Sequence, residues 1–141
     1  MAVGACLFGR CRGRRLNSVD NRPERRLLRA ARQLVGRSWC RGADARDGEG
    51  RAVNPWDEDA ESWSLLGGIV AALEHEAARG KEMPLEDLAA ALAALAELIH
   101  TDSLVAWNDD PARTQADVVA VLERAEAACE SPAARFSISV N

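Results

Sequence analysis

Cys40 has the surroundings of a reactive thiol. It follows Trp39 and lies among Arg37, Arg41 and Arg46, and nearby cations lower a thiol pKa. A thiolate nucleophile also needs a base, and the chain holds two histidines, His75 and His100. No local motif joins either to Cys40, so the simpler reading is a small buried thiol beside a packed tryptophan. Cys6, Cys11 and Cys129 complete the cysteines. They share no C-x-x-C spacing, and the histidines form no H-x-x-x-H pair, so the sequence predicts no metal and no cofactor. The thiols are expected to be free, as in a reducing compartment.

Two further groups could do chemistry. Glu74 lies in line with Trp63, Gly67 and Val70 on one stripe of a helix, and a buried acid there must be paired or face a pocket. The default is a salt bridge to an arginine of the first helix or the Trp39 loop; the alternative is a polar anchor in a tryptophan-lined cleft. The run Trp107-Asn108-Asp109-Asp110-Pro111 makes a turn, because Asn and Asp bond back to the backbone before proline. Trp107 is expected in the core, or else Asn108 and Asp109 stand at a polar rim.

Periodicity and capping supply the elements that must position these groups. The longest helix is read from Asn54 to Arg79. Asn54 is a suitable N-cap, Pro55 falls at the first helical position, and Asp57, Glu58 and Asp59 suit the positive end of the helix dipole. Its inward stripe is Trp56, Ala60, Trp63, Gly67 and Val70, widened by Leu66, Leu73 and Ala77. The mid-helix pair Gly67-Gly68 costs roughly 1 kcal/mol per glycine, which points to close approach of another segment. Gly80 is the expected left-handed stop.

A helix from Arg22 to Val35 precedes it, with Asn21 and Glu24 at capping-box spacing and Leu27, Leu28, Ala31, Leu34 and Val35 inward. Arg25, Arg26, Arg29 and Arg32 fall outside that arc, on a face expected to be solvated. A third helix runs from Pro84 to His100, with Leu85, Leu88, Leu92, Leu95 and Ile99 inward. A last one runs from Gln115 to Cys129, opened by Thr114 and Asp117, with Val118, Val121, Leu122, Ala125 and Cys129 inward. Gly36–Val53 and Thr101–Arg113 are left as ordered loops, the first with turn dipeptides and a short β-excursion near residues 44–53. The fold class is mostly α, about four helices in one domain, residues 21–130. A disordered basic tail (1–20) precedes it, and a loosely docked tail containing Phe136 to Val140 (131–141) follows.

Charge divides the 141 residues unevenly. The net charge of −4 splits into +8 over residues 1–51 and −12 over 52–141. A basic part suits phosphates, so Arg10 to Arg32 is the candidate nucleic-acid surface. Lys81 is the single lysine among eighteen basic residues, and such arginine bias reflects a GC-rich coding sequence as well. No apolar run reaches the ~18 residues of a membrane span and no secretory pattern opens the chain, so the expected compartment is the cytoplasm and no membrane partner is expected.

Trp39-Cys40-x-Gly42-Ala43, Asp47, Gly50, Ala60-x-x-Trp63-x-Leu65-x-Gly67, Trp107-Asn108-Asp109, Thr114 and a final Val118-x-x-x-Leu122-x-x-Ala125 occur in that order. The set resembles a family of small uncharacterised domains found in bacteria, especially actinobacteria, and in their phages. The resemblance spans about Leu27 to Ala128. In that family a cysteine often follows the second tryptophan and an alanine the helix glycine; Ser64 and Gly68 stand here instead, which counts against a two-cysteine mechanism. The resemblance implies boundaries and no activity. The leading expectation is a non-enzymatic interaction or ligand-binding module for an unknown protein or small ligand, using Trp39, Cys40, Trp63, Glu74, Trp107, Asn108 and Asp109. The alternatives are a small enzyme using Cys40 or Glu74, and a nucleic-acid accessory protein.

Overall fold

The computed structural model describes residues 22–129. The two tails, Asn21, Cys6, Cys11 and the Phe136–Val140 stretch therefore lie outside the described residues. Within them the chain is mostly α with a small antiparallel sheet. The order is α1 (Pro23–Arg37), β1 (Ala45–Arg46), β2 (Ala52–Val53), β3 (Ser62–Trp63), α2 (Leu65–Ala78), α3 (Leu85–Ile99), α4 (Leu104–Asp109) and α5 (Gln115–Ala128). Among the described residues no helix is long and apolar enough to cross a membrane.

α1 is the helix the others pack around, touching α2, α3 and α5. Its expected inward residues, Leu27, Leu28, Ala31, Leu34 and Val35, are all buried. They meet Leu65, Ile69 and Ala72 of α2, Ala91 and Leu95 of α3, and Val118, Leu122 and Ala125 of α5 in one apolar cluster. α1 and α5 run antiparallel and each closes the other's end. Gln115 donates its side-chain N–H to the Val35 carbonyl (2.8 Å), and Arg22 donates to the Cys129 carbonyl (3.4 Å). The Thr114–Asp117 capping box forms as the sequence predicts. The arginine face of α1 is not simply solvated. Arg29 and Arg32 share Glu126 (2.9 and 3.1 Å), and Arg26 reaches Glu76 (3.2 Å).

The predicted helix from Asn54 to Arg79 is wrong over residues 54–64. Residues 54–61 form turns, Ser62–Trp63 is a strand, and α2 begins at Leu65. The reason is local. Ser64 accepts from the Gly67 N–H (3.0 Å), a better N-cap than Asn54. The acids after Pro55 serve a turn, with Asp57 accepting from the Asp59 N–H (2.9 Å). The Trp63 indole donates to the Pro55 carbonyl (3.0 Å) and folds that loop back. With Trp56 and Ala60 outside the helix, the stripe built on them loses its phase: Trp56 is 51% exposed. The true inward face is Leu65, Gly68, Ile69, Ala72 and Glu76. Glu74, expected inward, is exposed; Glu76 is the buried acid, held by Arg26 and Arg79 at 3.2 Å each. Ala77 and Leu85, also expected inward, are exposed, Leu85 to 81% at the very start of α3.

The sheet has the order β2-β1-β3. Ala45 sits opposite Val53 on one side and Trp63 on the other, so the β-excursion expected near residues 44–53 recruits a third strand from the misread helix. Segment 38–40 runs along the outer side of β3: the Cys40 N–H donates to the Trp63 carbonyl and the Trp63 N–H to the Ser38 carbonyl (3.2 and 3.1 Å). The β1–β2 turn closes on Asp47, whose carboxylate accepts from the N–H groups of Arg51 and Glu49 (2.8 and 2.9 Å). Those bonds, the Arg51 N–H first, hold it below the usual carboxylate range.

Gly67 answers the sequence question about the glycine pair. A Cβ built there would sit 1.8 Å from the Asp44 carbonyl oxygen, whereas one on Gly68 would meet the Val35 methyl at 3.0 Å. Gly67→Ala should therefore lower unfolding free energy by roughly 1–3 kcal/mol or more, as overpacking against backbone does. Gly68→Ala should cost less, since helix propensity offsets about 1 kcal/mol of the clash. Urea denaturation of the two variants checks the order.

Candidate functional site

Three segments converge at the N-terminus of α2: the 38–44 segment, the β3–Ser64 corner, and α4. α4 is one of the stretches read as a loop. Ser103 caps it by accepting from the Ala106 N–H (3.0 Å), and its last turn presents Asn108 and Asp109 inward.

Asn108 is 0% exposed, and its amide is fully employed. Its Oδ1 accepts from the Trp39 indole N–H (2.8 Å) and from the Leu65 backbone N–H (2.9 Å). Its Nδ2 donates to the Cys40 carbonyl (3.1 Å) and to Asp109 Oδ1 (3.0 Å). The same Asp109 oxygen accepts from the Gly42 N–H (3.0 Å), where φ is +80°. One amide therefore satisfies an otherwise orphan helix N–H, an indole and a loop carbonyl. The Ser64 N–H donates to the Asp44 carbonyl (3.0 Å), the oxygen that Gly67 admits.

Of the residues nominated from sequence, Trp39, Cys40, Trp63, Asn108 and Asp109 are brought together. Trp107 is next in the chain to Asn108, but its ring faces elsewhere: it lines a groove with Leu98, Ile99 and Val121 and carries the Arg113 guanidinium 3.8 Å from its centre. Glu74 is exposed on α2, outside the cluster. Ser64, Gly42 and Asp44 were not singled out as site residues. Ser64 was legible, as a capping residue immediately before the apolar run Leu65-Leu66; the other two depend on tertiary contact.

Cys40 is buried, 8% exposed, with its thiol donating to the Ala43 carbonyl at 3.6 Å. The arginines were expected to lower its pKa, and the result is the opposite. Burial pushes the thiol up, and the Ser62 hydrogen bond and Arg46 charge oppose this less strongly, while Asp109 and Asp44 add to it. His75 and His100 are exposed on α2 and at the end of α3, and neither is hydrogen-bonded to Cys40. Among the described residues no group of three or more His, Cys, Asp or Glu is placed to hold a metal ion.

Beside the cluster lies a notch of about 260 Å³. It is lined by the 42–44 segment, Ser64, Val105, Asn108 and Asp109. Asp44 is exposed and Val105 is 46% exposed. The notch is the accessible part of an otherwise closed assembly.

A family model described as a family of unknown function, DUF6197, matches residues 20–128. The chain belongs to that family. The match covers α1 to α5, so the Asn108 cluster and the notch both lie within the family's domain. No curated protein and no solved structure matches the chain.

Two outcomes follow from this geometry. Asn108→Leu leaves the Trp39 indole, the Leu65 N–H and the Cys40 carbonyl without partners; at roughly 1–3 kcal/mol per buried unsatisfied group it should cost several times the ~1 kcal/mol of Trp39→Phe, which removes one bond. Urea titrations compare the two. For Cys40 the folded state favours the neutral thiol, so its contribution is complete below the unfolded thiol pKa and is lost as pH rises through the higher folded value. Melting temperature should accordingly fall in alkali more steeply for the wild type than for Cys40→Ala, measured across the range above the ordinary thiol pKa.

Proposed function

We propose that this domain is a non-enzymatic interaction or ligand-binding module of bacterial or phage origin, acting in the cytoplasm, and that the notch beside Asn108 is its point of contact. The observation that carries this reading is the saturation of Asn108. The polar groups gathered at the site are engaged with one another, which supports a scaffold role for them. A partner is left the shape and chemistry of the notch: the side chains of Ala43 and Val105, with the acids Asp44 and Asp109 also lining it. At about 260 Å³ it falls just below the roughly 300–1,000 Å³ of pockets that enclose small molecules. It fits a single partner side chain with an alkyl stem and a cationic head, a lysine or arginine.

The two alternatives have less to stand on. A small enzyme would use Cys40 or Glu74; the first is a buried thiol held neutral, and the second is an exposed acid away from the tryptophans. A nucleic-acid surface through Arg10–Arg32 would draw on α1, where Arg26, Arg29 and Arg32 are already ion-paired to Glu76 and Glu126.

A thermal-shift screen of lysine- and arginine-containing peptides tests the reading. Peptides that bind should raise the melting temperature of the wild type, and Val105→Arg, which fills the notch and repels a cationic head, should abolish the rise while leaving the unliganded melting temperature nearly unchanged, because Val105 is half exposed. Equal stabilisation of the variant would remove the notch from consideration.

A further inference from the structure

A second concavity lies between α1 and α2 and shares no residue with the notch. Its volume is about 530 Å³, within the roughly 300–1,000 Å³ of pockets that take small molecules. α1 gives it Ala30, Gln33, Leu34 and Arg37, and α2 gives Ala72, His75, Glu76 and Arg79. On each helix these positions are i, i+3, i+4 and i+7, one continuous face. Apart from Glu76, the buried lining is apolar: Leu34 and Ala72, with Ala30 half-buried. The exposed lining, Gln33, Arg37, His75 and Arg79, consists of side chains that can donate N–H groups.

Charge makes this concavity selective. Glu76 is the one acid lining it, and both its oxygens are taken, by Arg26 and Arg79 at 3.2 Å each. Arg37 differs: its guanidinium stands 6.0 Å from the centre of the Trp63 ring, and among the described residues it has no carboxylate partner. Arg26, Arg37 and Arg79 against Glu76 leave an excess of positive charge, in a chain whose net charge is −4. α1 and α2 run antiparallel, since Arg26 meets Glu76 while Val35 lies against Gly68. Arg37 and Arg79 therefore belong to opposite ends of the concavity, with Ala30, Leu34 and Ala72 between them.

We propose that this concavity binds a small organic anion, with an apolar body over Leu34 and Ala72 and a carboxylate head at Arg37. Arg37 is the cation whose charge is not already spent on an acid, and a guanidinium matches a carboxylate in shape as well as in charge. Gln33 is one turn away on the same face and offers an amide N–H beside it. Ala30 to Arg37 spans about 10 Å of helix, room for an extended chain of about eight carbons. Binding here and binding at the notch are separate events and fail separately.

Titration of the full-length chain with octanoate, followed in nitrogen-correlated proton spectra, tests this. Saturable shifts should gather on the amides of residues 30–37 and 72–79. Arg37→Gln removes the cation, and Gln33→Glu supplies Arg37 with an acid of its own. Both positions are exposed, so melting temperatures should stay close to the wild type while affinity weakens about tenfold or more in each. Octylammonium, with the same chain and the opposite charge, should not saturate. Absence of saturable shifts with octanoate overturns the proposal. So does affinity that survives either substitution, because the head would then lie away from Arg37. Equal binding of octylammonium also overturns it, since the concavity would then select for apolar surface alone. Shifts confined to residues 90–98 do the same, because the anion would sit between α3 and α5 instead.

Discussion

The fold depends on a contact that only glycine allows. The carbonyl of Asp44 lies where a side chain on Gly67 would be, which lets the 38–44 segment press onto the first turn of α2. Everything at the candidate site follows from that approach. The same carbonyl takes the Ser64 N–H, Ser64 then caps the helix, and the segment is close enough for one amide, Asn108, to bridge it to the helix start. Without the approach, Asn108 would be a buried amide with half its partners missing, an expensive arrangement in a low-dielectric interior.

How much of this was legible depended on the distance over which each decision is made. α1 and α5 were readable because their determinants are local: a proline or capping box at the start and an apolar arc at helical spacing, confirmed at every residue named for it. α2 was misread because Asn54, Pro55 and three acids imitate a helix start, and Trp56 and Trp63 then extended its stripe backwards. The true cap, Ser64, stands directly before Leu65-Leu66 and was overshadowed by that earlier start. That error displaced the buried acid from Glu76 to Glu74. The Trp107-Asn108-Asp109 stretch stands out in the sequence, yet its helical form and the Asn108 bonds to Trp39, Cys40 and Leu65 were not legible, since those partners are 43 to 69 residues away. The pKa direction of Cys40 failed for the same reason: nearby arginines are visible in a sequence, and burial is not.

Membership of a family of unknown function fits what the site offers. The cysteine among arginines and the asparagine among tryptophans are both held by their neighbours. The accessible groups lie next to that cluster, in the notch walled by Ala43, Asp44 and Val105.

The indoles give this architecture a set of built-in reporters. The Trp39 N–H ends on Asn108 and the Trp63 N–H on the Pro55 carbonyl, while Trp56 is half exposed. In a nitrogen-correlated proton spectrum the first two resonances are slow to trade with solvent and the third is quick. Loss of the Trp39 signal announces release of α4, and loss of the Trp63 signal announces release of the 55–63 loop. The two sides of the site can thus be watched separately in one unmodified sample.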